Sequence, residues 1–208
     1  MLRKVGLSLL TTATILTGVS SDAIARLQEA LDSVKTTEQA NTTQDQTDQP
    51  EPEPEKSYWV GKNLTANEAT TLKFFQDQGI TDRMALAVLM GNIKQESMFV
   101  PNICEGGARM NYEQCHRGGY GLIQWTTSFR YWGLGKHAKT IKGNPSTLDT
   151  QLSYLLTERE FKEIEYKFRT ENQSLQYYMK AAYYWLGWGI YGNRGHYSQT
   201  YYNSMTKI

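Results

Sequence analysis

Between residues 81 and 97, TDRMALAVLMGNIKQES, apolar side chains recur at Leu86, Leu89, Met90 and Ile93. That is the 0, 3, 4, 7 spacing of one buried helix face, and Thr81 stands where an N-cap belongs. Residues 65–78 predict a helix before it, with Thr65 and Glu68 spaced as a capping box and Gly79 as the C-terminal stop. Downstream, residues 129–137 predict a short helix. Residues 146–160 restart after Pro145, with Ser146 and Asp149 as a second box and Leu148, Leu152, Leu155 and Leu156 on the core face. Residues 174–185 predict a last helix that packs Leu175, Tyr178, Met179 and Ala182. No stretch alternates convincingly in the manner of a strand, so the pattern predicts a mainly α domain with at most a short hairpin within residues 105–120.

The pattern changes before residue 58. The first 56 residues hold no Phe, Trp or Tyr, and all 25 aromatic residues lie from Tyr58 onward, which places the folded domain at residues 58–208. Residues 36–57, TTEQANTTQDQTDQPEPEPEKS, are polar and end in alternating Pro and Glu, so they bury too little surface to offset chain entropy. They predict a disordered linker, extended at its proline end. Residues 1–35 carry two readings. Arg3 and Lys4, an apolar run from Val5 to Val19 and the small residues around Ala23 and Ala25 follow the grammar of an export signal. Ile24, Leu27, Leu31 and Val34 repeat at helical spacing instead, as an amphipathic helix that docks on a partner would.

Charge divides at the same boundary. Residues 57–208 hold 17 Lys and Arg against 12 Asp and Glu, a net +5, whereas residues 1–56 carry a net −4. A basic, Trp- and Tyr-rich domain suits an anionic polysaccharide, which basic groups attract and ring faces stack upon. The basic residues are scattered with no Arg-rich run, which argues against nucleic acid as a partner.

One acid stands out. Glu96 follows Ile93 by three positions and Leu89 by seven, and at about 100° per residue it projects from the apolar side of its helix. A carboxyl held against apolar groups keeps its proton to higher pH, the requirement for a general acid. A helix-end glutamate that meets solvent or Lys94 is the plainer reading of position alone.

Two blocks then carry a resemblance. The first comprises Gly91, Asn92, Glu96, Ser97 and Pro101; the second comprises Tyr120, Gly121, Leu122, Gln124, Trp125 and Arg130. In this order and spacing they resemble the phage tail lysozyme domain family and, more distantly, goose-type lysozymes and lytic transglycosylases. The resemblance implies a lysozyme-like helical domain and a muramidase that cuts peptidoglycan between N-acetylmuramic acid and N-acetylglucosamine. It implies Glu96 as the acid that protonates the glycosidic oxygen. It also implies a virion tail or baseplate location, with other tail proteins as partners through the N-terminal segment. Export to the periplasm or beyond the cell is the alternative that the signal-like leader supports. Gln124, Trp125 and Tyr120 are then the expected cleft residues, for hydrogen bonding and stacking, with Asn92 one turn before Glu96 to orient it or a sugar amide. A wall-binding module without catalysis, with Glu96 as a sugar partner, is the rival function.

Glycoside cleavage often uses a second carboxylate, and Glu105 and Glu113 are the candidates within the long loop expected from Pro101 to Gly119. The family resemblance also allows a positioned water or the substrate's own acetamide, and neither hydrolysis nor intramolecular transfer is favoured. Cys104 and Cys115 flank that loop and are expected to form a disulfide. Free thiols, a Cys115 nucleophile beside His116, and a zinc site with His137 are the other readings, although the spacing fits no common zinc pattern. No metal or cofactor is expected.

Overall fold

A computed structural model describes residues 57–208 and, before them, Arg26; the predicted leader and the linker up to residue 56 lie outside the described residues. Eight α-helices and one two-stranded sheet make up the domain: β1 (Trp59–Gly61), α1 (Ala66–Asp77), α2 (Arg83–Ser97), α3 (Ser128–Ile141), α4 (Leu148–Leu155), α5 (Arg159–Lys162), α6 (Glu165–Arg169), α7 (Leu175–Leu186), α8 (Arg194–Ser204) and β2 (Met205–Lys207). It is a mainly α domain with one small antiparallel sheet, as the sequence pattern predicts.

The capping box at the start of α1 is present, with Thr65 accepting from the Glu68 N–H and Glu68 accepting from the Thr65 N–H. Glu68 also takes a hydrogen bond from Tyr201 and an ion pair from Lys94, so this acid holds α1, α2 and α8 together. The central helix α2 is capped one residue later than the sequence predicts. Asp82 accepts from the Ala85 N–H at 2.8 Å, while the Thr81 hydroxyl turns away to donate to Glu171. Every residue from Ala85 to Ile93 is buried, so α2 is enclosed on all sides and its apolar stripe is only one part of its packing.

The helix expected over residues 146–160 is broken. Ser146 does not cap it; its hydroxyl accepts from the Tyr112 N–H and the Tyr120 O–H, and α4 begins after Thr147. The break lies at residues 156–158, where Glu158 turns inward to bind Trp125 and Arg130. The helix predicted over residues 129–137 is longer, starting after Thr127, whose hydroxyl accepts from the Arg130 N–H.

The final helix, α8, carries no apolar stripe in RGHYSQTYYNS, and tertiary contacts, chiefly with α2 and through Tyr201 with Glu68 of α1, account for its place. After it, β2 pairs antiparallel with β1 in the register Trp59 with Lys207 and Gly61 with Met205, joining the two ends of the domain. Where a hairpin was allowed for, the loop between α2 and α3 makes isolated bridges between Ile103 and Arg109, Cys104 and Tyr120, and Tyr120 and Trp125.

Candidate active site

Glu96 occupies the last turn of α2. The helix ends at Met98, whose left-handed conformation (φ 51°) turns the chain back, and the Met98 N–H bonds to the Lys94 carbonyl. Ser97 then donates to the Leu122 carbonyl at 2.7 Å, which fastens the helix end to the loop carrying the second motif block. The two blocks are distant in sequence and adjacent in space for that reason.

A second element reaches the acid from the far end of the chain. α8 runs closely along α2, because Gly91 has no side chain to meet Ser198. One turn before Ser198, Arg194 lies opposite the end of α2 and donates through Nη2 to Glu96 Oε1 at 2.6 Å. The Asn193 N–H donates to Gln95 Oε1 at 2.8 Å, clamping the start of α8 to the same turn. The Arg194 side chain is 6 % exposed and that of Glu96 15 %, so the acid keeps a narrow opening to solvent while its partner is sealed.

Burial raises the Glu96 pKa above the ordinary value, and the positive charges of Arg194 and then Arg130 only partly offset it. Burial likewise lowers the pKa of Arg194 against the opposing pull of Glu96. Desolvation therefore outweighs attraction on both partners, and the pair is held by the fold more than by its own charge. Arg130 is placed by a two-pronged bond to Glu158, with Nε to Oε1 at 2.7 Å and Nη2 to Oε2 at 3.1 Å. Glu158 is almost wholly buried; burial pushes its carboxyl up, against Arg130 and Trp125, which favour the charged form.

The remaining predicted residues divide sharply. Trp125 is fully buried, donates from its indole N–H to Glu158 at 2.8 Å and packs on Tyr154. It has no free ring face, so the expected sugar-stacking wall is corrected to a core residue that positions Glu158. Tyr120 is also fully buried, between Tyr112 and Tyr131, with its hydroxyl on Ser146 and the Met110 carbonyl. Asn92 is buried as well; it bonds back to the Val88 carbonyl and touches the Met179 sulfur, too deep to meet a sugar. Only Gln124 remains half-exposed, in a left-handed conformation (φ 54°) with its amide nitrogen on the Gly121 carbonyl.

Exposed rings are found elsewhere. Phe129 is 77 % exposed and Trp132 68 %, both on α3 next to Arg130, while Ile190 and Tyr191 are exposed in the segment leading to Arg194. The arginines that act on Glu96 therefore come from two elements, each of which carries apolar groups into solvent. Neither Arg194 nor Glu158 was singled out by sequence. Arg194 draws no more than a mention beside Asn193, since α8 has no periodicity, and Glu158 lies inside an expected continuous helix.

Cys104 and Cys115 form a disulfide, with Cα atoms 5.7 Å apart, so both sulfurs are occupied and no thiol nucleophile stands in the loop. Glu105 accepts from the Gly119 N–H at 2.9 Å and braces that loop; Glu113 lies exposed in the 3-10 turn Tyr112–Gln114. Among the described residues no group of three His, Cys, Asp or Glu is arranged to hold a metal ion.

A helical domain that keeps one acid largely out of water at the tip of its central helix holds a group suited to donate a proton. The chain belongs to the phage tail lysozyme family, which it matches over residues 66–205. No curated protein and no solved structure matches it. Membership brings lysozyme-like degradation of peptidoglycan as the activity, peptidoglycan as the substrate and a phage virion as the setting.

Proposed function

We propose that the protein is a muramidase in which Glu96 is the general acid for the β-1,4 bond between N-acetylmuramic acid and N-acetylglucosamine. The observation that carries this reading is the state of Glu96: desolvated enough to hold its pKa above the usual carboxylate range, yet open to solvent along one edge. In the reaction the Glu96 proton passes to the glycosidic oxygen as the bond to the anomeric carbon breaks. Water then supplies hydroxide to that carbon and returns a proton to Glu96. A positioned acid of this kind contributes roughly 10²–10⁴-fold to rate.

Neither Glu105 nor Glu113 bonds to Glu96, and Glu105 is committed to the Gly119 N–H. The proposed mechanism uses a single carboxylate, with water or the substrate's acetamide as the second participant. The virion tail is the proposed location, with residues 1–35 as the attachment to other tail proteins.

The test is Glu96→Gln. It is expected to stop release of soluble fragments from purified peptidoglycan while the variant still sediments with the wall. Fragment release by the variant at the wild-type rate would remove Glu96 from the mechanism, and a wild-type protein that binds without releasing fragments would make this a wall-binding module. Mass spectrometry of the fragments completes the test, since reducing ends report hydrolysis and anhydro ends report a transglycosylase.

A further inference from the structure

Arg194 makes an incomplete set of bonds for a buried guanidinium. Its Nη2 donates to Glu96, but Nε and Nη1 are buried with no hydrogen-bond partner. Leaving donors of a charged group unpaired away from water costs free energy, and natural folds retain few such groups. The guanidinium is covered by the Trp188 indole, with its carbon 5.0 Å from the ring centre. Trp188 itself is only half-buried, resting on Tyr183 and Tyr191. It lies in a segment punctuated by Gly187 (φ 62°), Gly189 and Gly192 (φ 57°), between the end of α7 and the start of α8. A Cβ added at Gly187 or Gly189 would meet nothing within 4 Å, so the side-chain space beside Trp188 is open, and moving its ring costs the indole N–H its bond to the Ala182 carbonyl at 3.2 Å.

The pairing also poses a chemical conflict. A general acid must carry its proton when the glycosidic oxygen arrives, whereas an ion pair with arginine favours the carboxylate. A resting contact with Arg194 therefore opposes the proposed role of Glu96 until Arg194 is given another anion.

We propose that Arg194 is a substrate-recognition residue, exchanging its bond to Glu96 for a carboxylate carried by the muramyl sugar once Trp188 moves aside. The inference rests on Glu96 being the acid. The ligand group is a carboxylate on the 3-position substituent of the muramyl unit: the lactyl acid in a bare glycan strand, or an acid of the peptide amide-linked to it in a substituted one. Exchange takes Arg194 away from Glu96, which then binds a proton from solvent in a site already short of water. The charged groups facing Glu96 are Arg194 from α8 and Arg130 from α3, and Arg130 stays committed to Glu158. Recognition of the anionic glycan and arming of the acid become one event, and a neutral glycan of N-acetylglucosamine alone does not produce it.

Binding measured by calorimetry separates this from a structural ion pair. The probes carry sulfur in place of the glycosidic oxygens, so that active protein does not cleave them: a bare oligosaccharide of alternating N-acetylglucosamine and N-acetylmuramic acid, the same strand bearing its peptides, and an N-acetylglucosamine oligomer of equal length. In wild type, Glu96 competes with the ligand carboxylate for Arg194. Glu96→Gln is therefore expected to bind the muramyl ligand about tenfold more tightly than wild type, the scale of one charge-assisted bond, and the neutral oligomer equally well. Adding Arg194→Gln to Glu96→Gln is expected to abolish that gain, and Trp188→Ala in wild type to reproduce part of it. Tightening with the bare strand assigns the lactyl acid, and tightening confined to the substituted strand assigns the peptide. Equal changes for the muramyl and neutral ligands, or no change for either, would overturn the proposal while leaving Glu96 as the acid, because Glu96→Gln inactivity is scored separately. Melting of each variant is followed in parallel, and the Trp188→Ala arm decides the matter if the double variant does not fold.

Discussion

Gly91 and Ser198 face each other where α2 and α8 run side by side, so closely that a Cβ on Gly91 would lie 2.8 Å from Ser198 Cα and nearer still to its hydroxyl. This contact sets the distance between the two helices. It thereby decides whether Arg194, one turn before Ser198, reaches Glu96, just over a turn beyond Gly91.

Gly91→Ala is therefore expected to act at a distance. Overpacking at a helix crossing costs about 1–3 kcal/mol, and here the strain also moves the start of α8 away from Glu96. Chemical denaturation is expected to show the loss of stability, and fragment release at a temperature where both proteins are folded to show a further fall. Ser198→Gly removes the hydroxyl but not the backbone overlap, so it restores only part of either. An alanine variant with wild-type stability would mean that the helices separate freely.

Glu158→Gln tests whether the buried fork to Arg130 holds the second arginine in place. The side chains of Arg130 and Glu158 are 12 % and 1 % exposed, and removing one charge from such a pair costs on the order of 3 kcal/mol, because the other is left without its counter-charge. Replacing both together, with Arg130→Met and Glu158→Leu, is expected to cost less stability than Glu158→Gln alone while still impairing activity. Thermal melting and fragment release on the same samples separate the two effects.

The proposed role of Glu96 as general acid sets an expected pH dependence. Burial holds its carboxyl above the ordinary value of 4.5, with Arg194 and Arg130 limiting the rise. Because the acid must be protonated, kcat/KM is level below that raised pKa and falls about tenfold per pH unit above it. The alkaline limb is expected above the usual glutamate range, in a profile taken at constant ionic strength. A limb at or below pH 4.5 would contradict the desolvated site.

Glu68 gives the opposite sign in stability. Burial alone raises its pKa, but hydrogen bonds from Tyr201, Thr65 and Lys94 outweigh it and hold the carboxyl below 4.5. A depressed folded-state pKa contributes stability that is present in full above the unfolded value and is lost as pH falls through the folded one. Glu68→Gln is thus expected to be less stable than wild type at neutral pH, with the gap narrowing below pH 4.5. Urea midpoints across that window provide the measurement, and a gap independent of pH would sink the assignment.

Reduction probes the loop. The Cys104–Cys115 bond closes a short segment between residues 11 apart in sequence. Such a closure is worth about 3 kcal/mol through the unfolded chain. Cys104→Ser with Cys115→Ser is expected to lower the melting temperature without abolishing fragment release, since neither sulfur touches Glu96. Inactivation of a still-folded double variant would give the thiols a role in chemistry.

Much of this organisation is legible along the chain. The capping box at Thr65 and Glu68 is a local device, satisfied within one turn, and it stands as its spacing indicates. The helix that ends at Glu96 is equally legible, because the period of Leu86, Leu89, Met90 and Ile93 reports a buried face whatever surrounds it. The cap itself moved from Thr81 to Asp82, since both residues offer an oxygen and only the contact with Glu171 engages Thr81.

Trp125 shows where such reasoning ends. A tryptophan in a glycine-rich loop that follows the Glu96 motif has the composition of a sugar platform, but composition does not say which way the ring turns. Here it turns inward, because a buried glutamate waits for the indole N–H.

The sequence by itself determined α1, α2, α3 and α7, the motif blocks and the one acid placed against an apolar face, because each depends on neighbours within a turn or two. Only the tertiary structure decided what surrounds that acid. Arg194 is 98 residues from Glu96 and begins a helix with no apolar stripe, and Glu158 is reached through a break inside an expected helix. Both partnerships arise where packed elements exclude water around charges, and desolvation of that kind is a property of the assembled core that no local pattern contains.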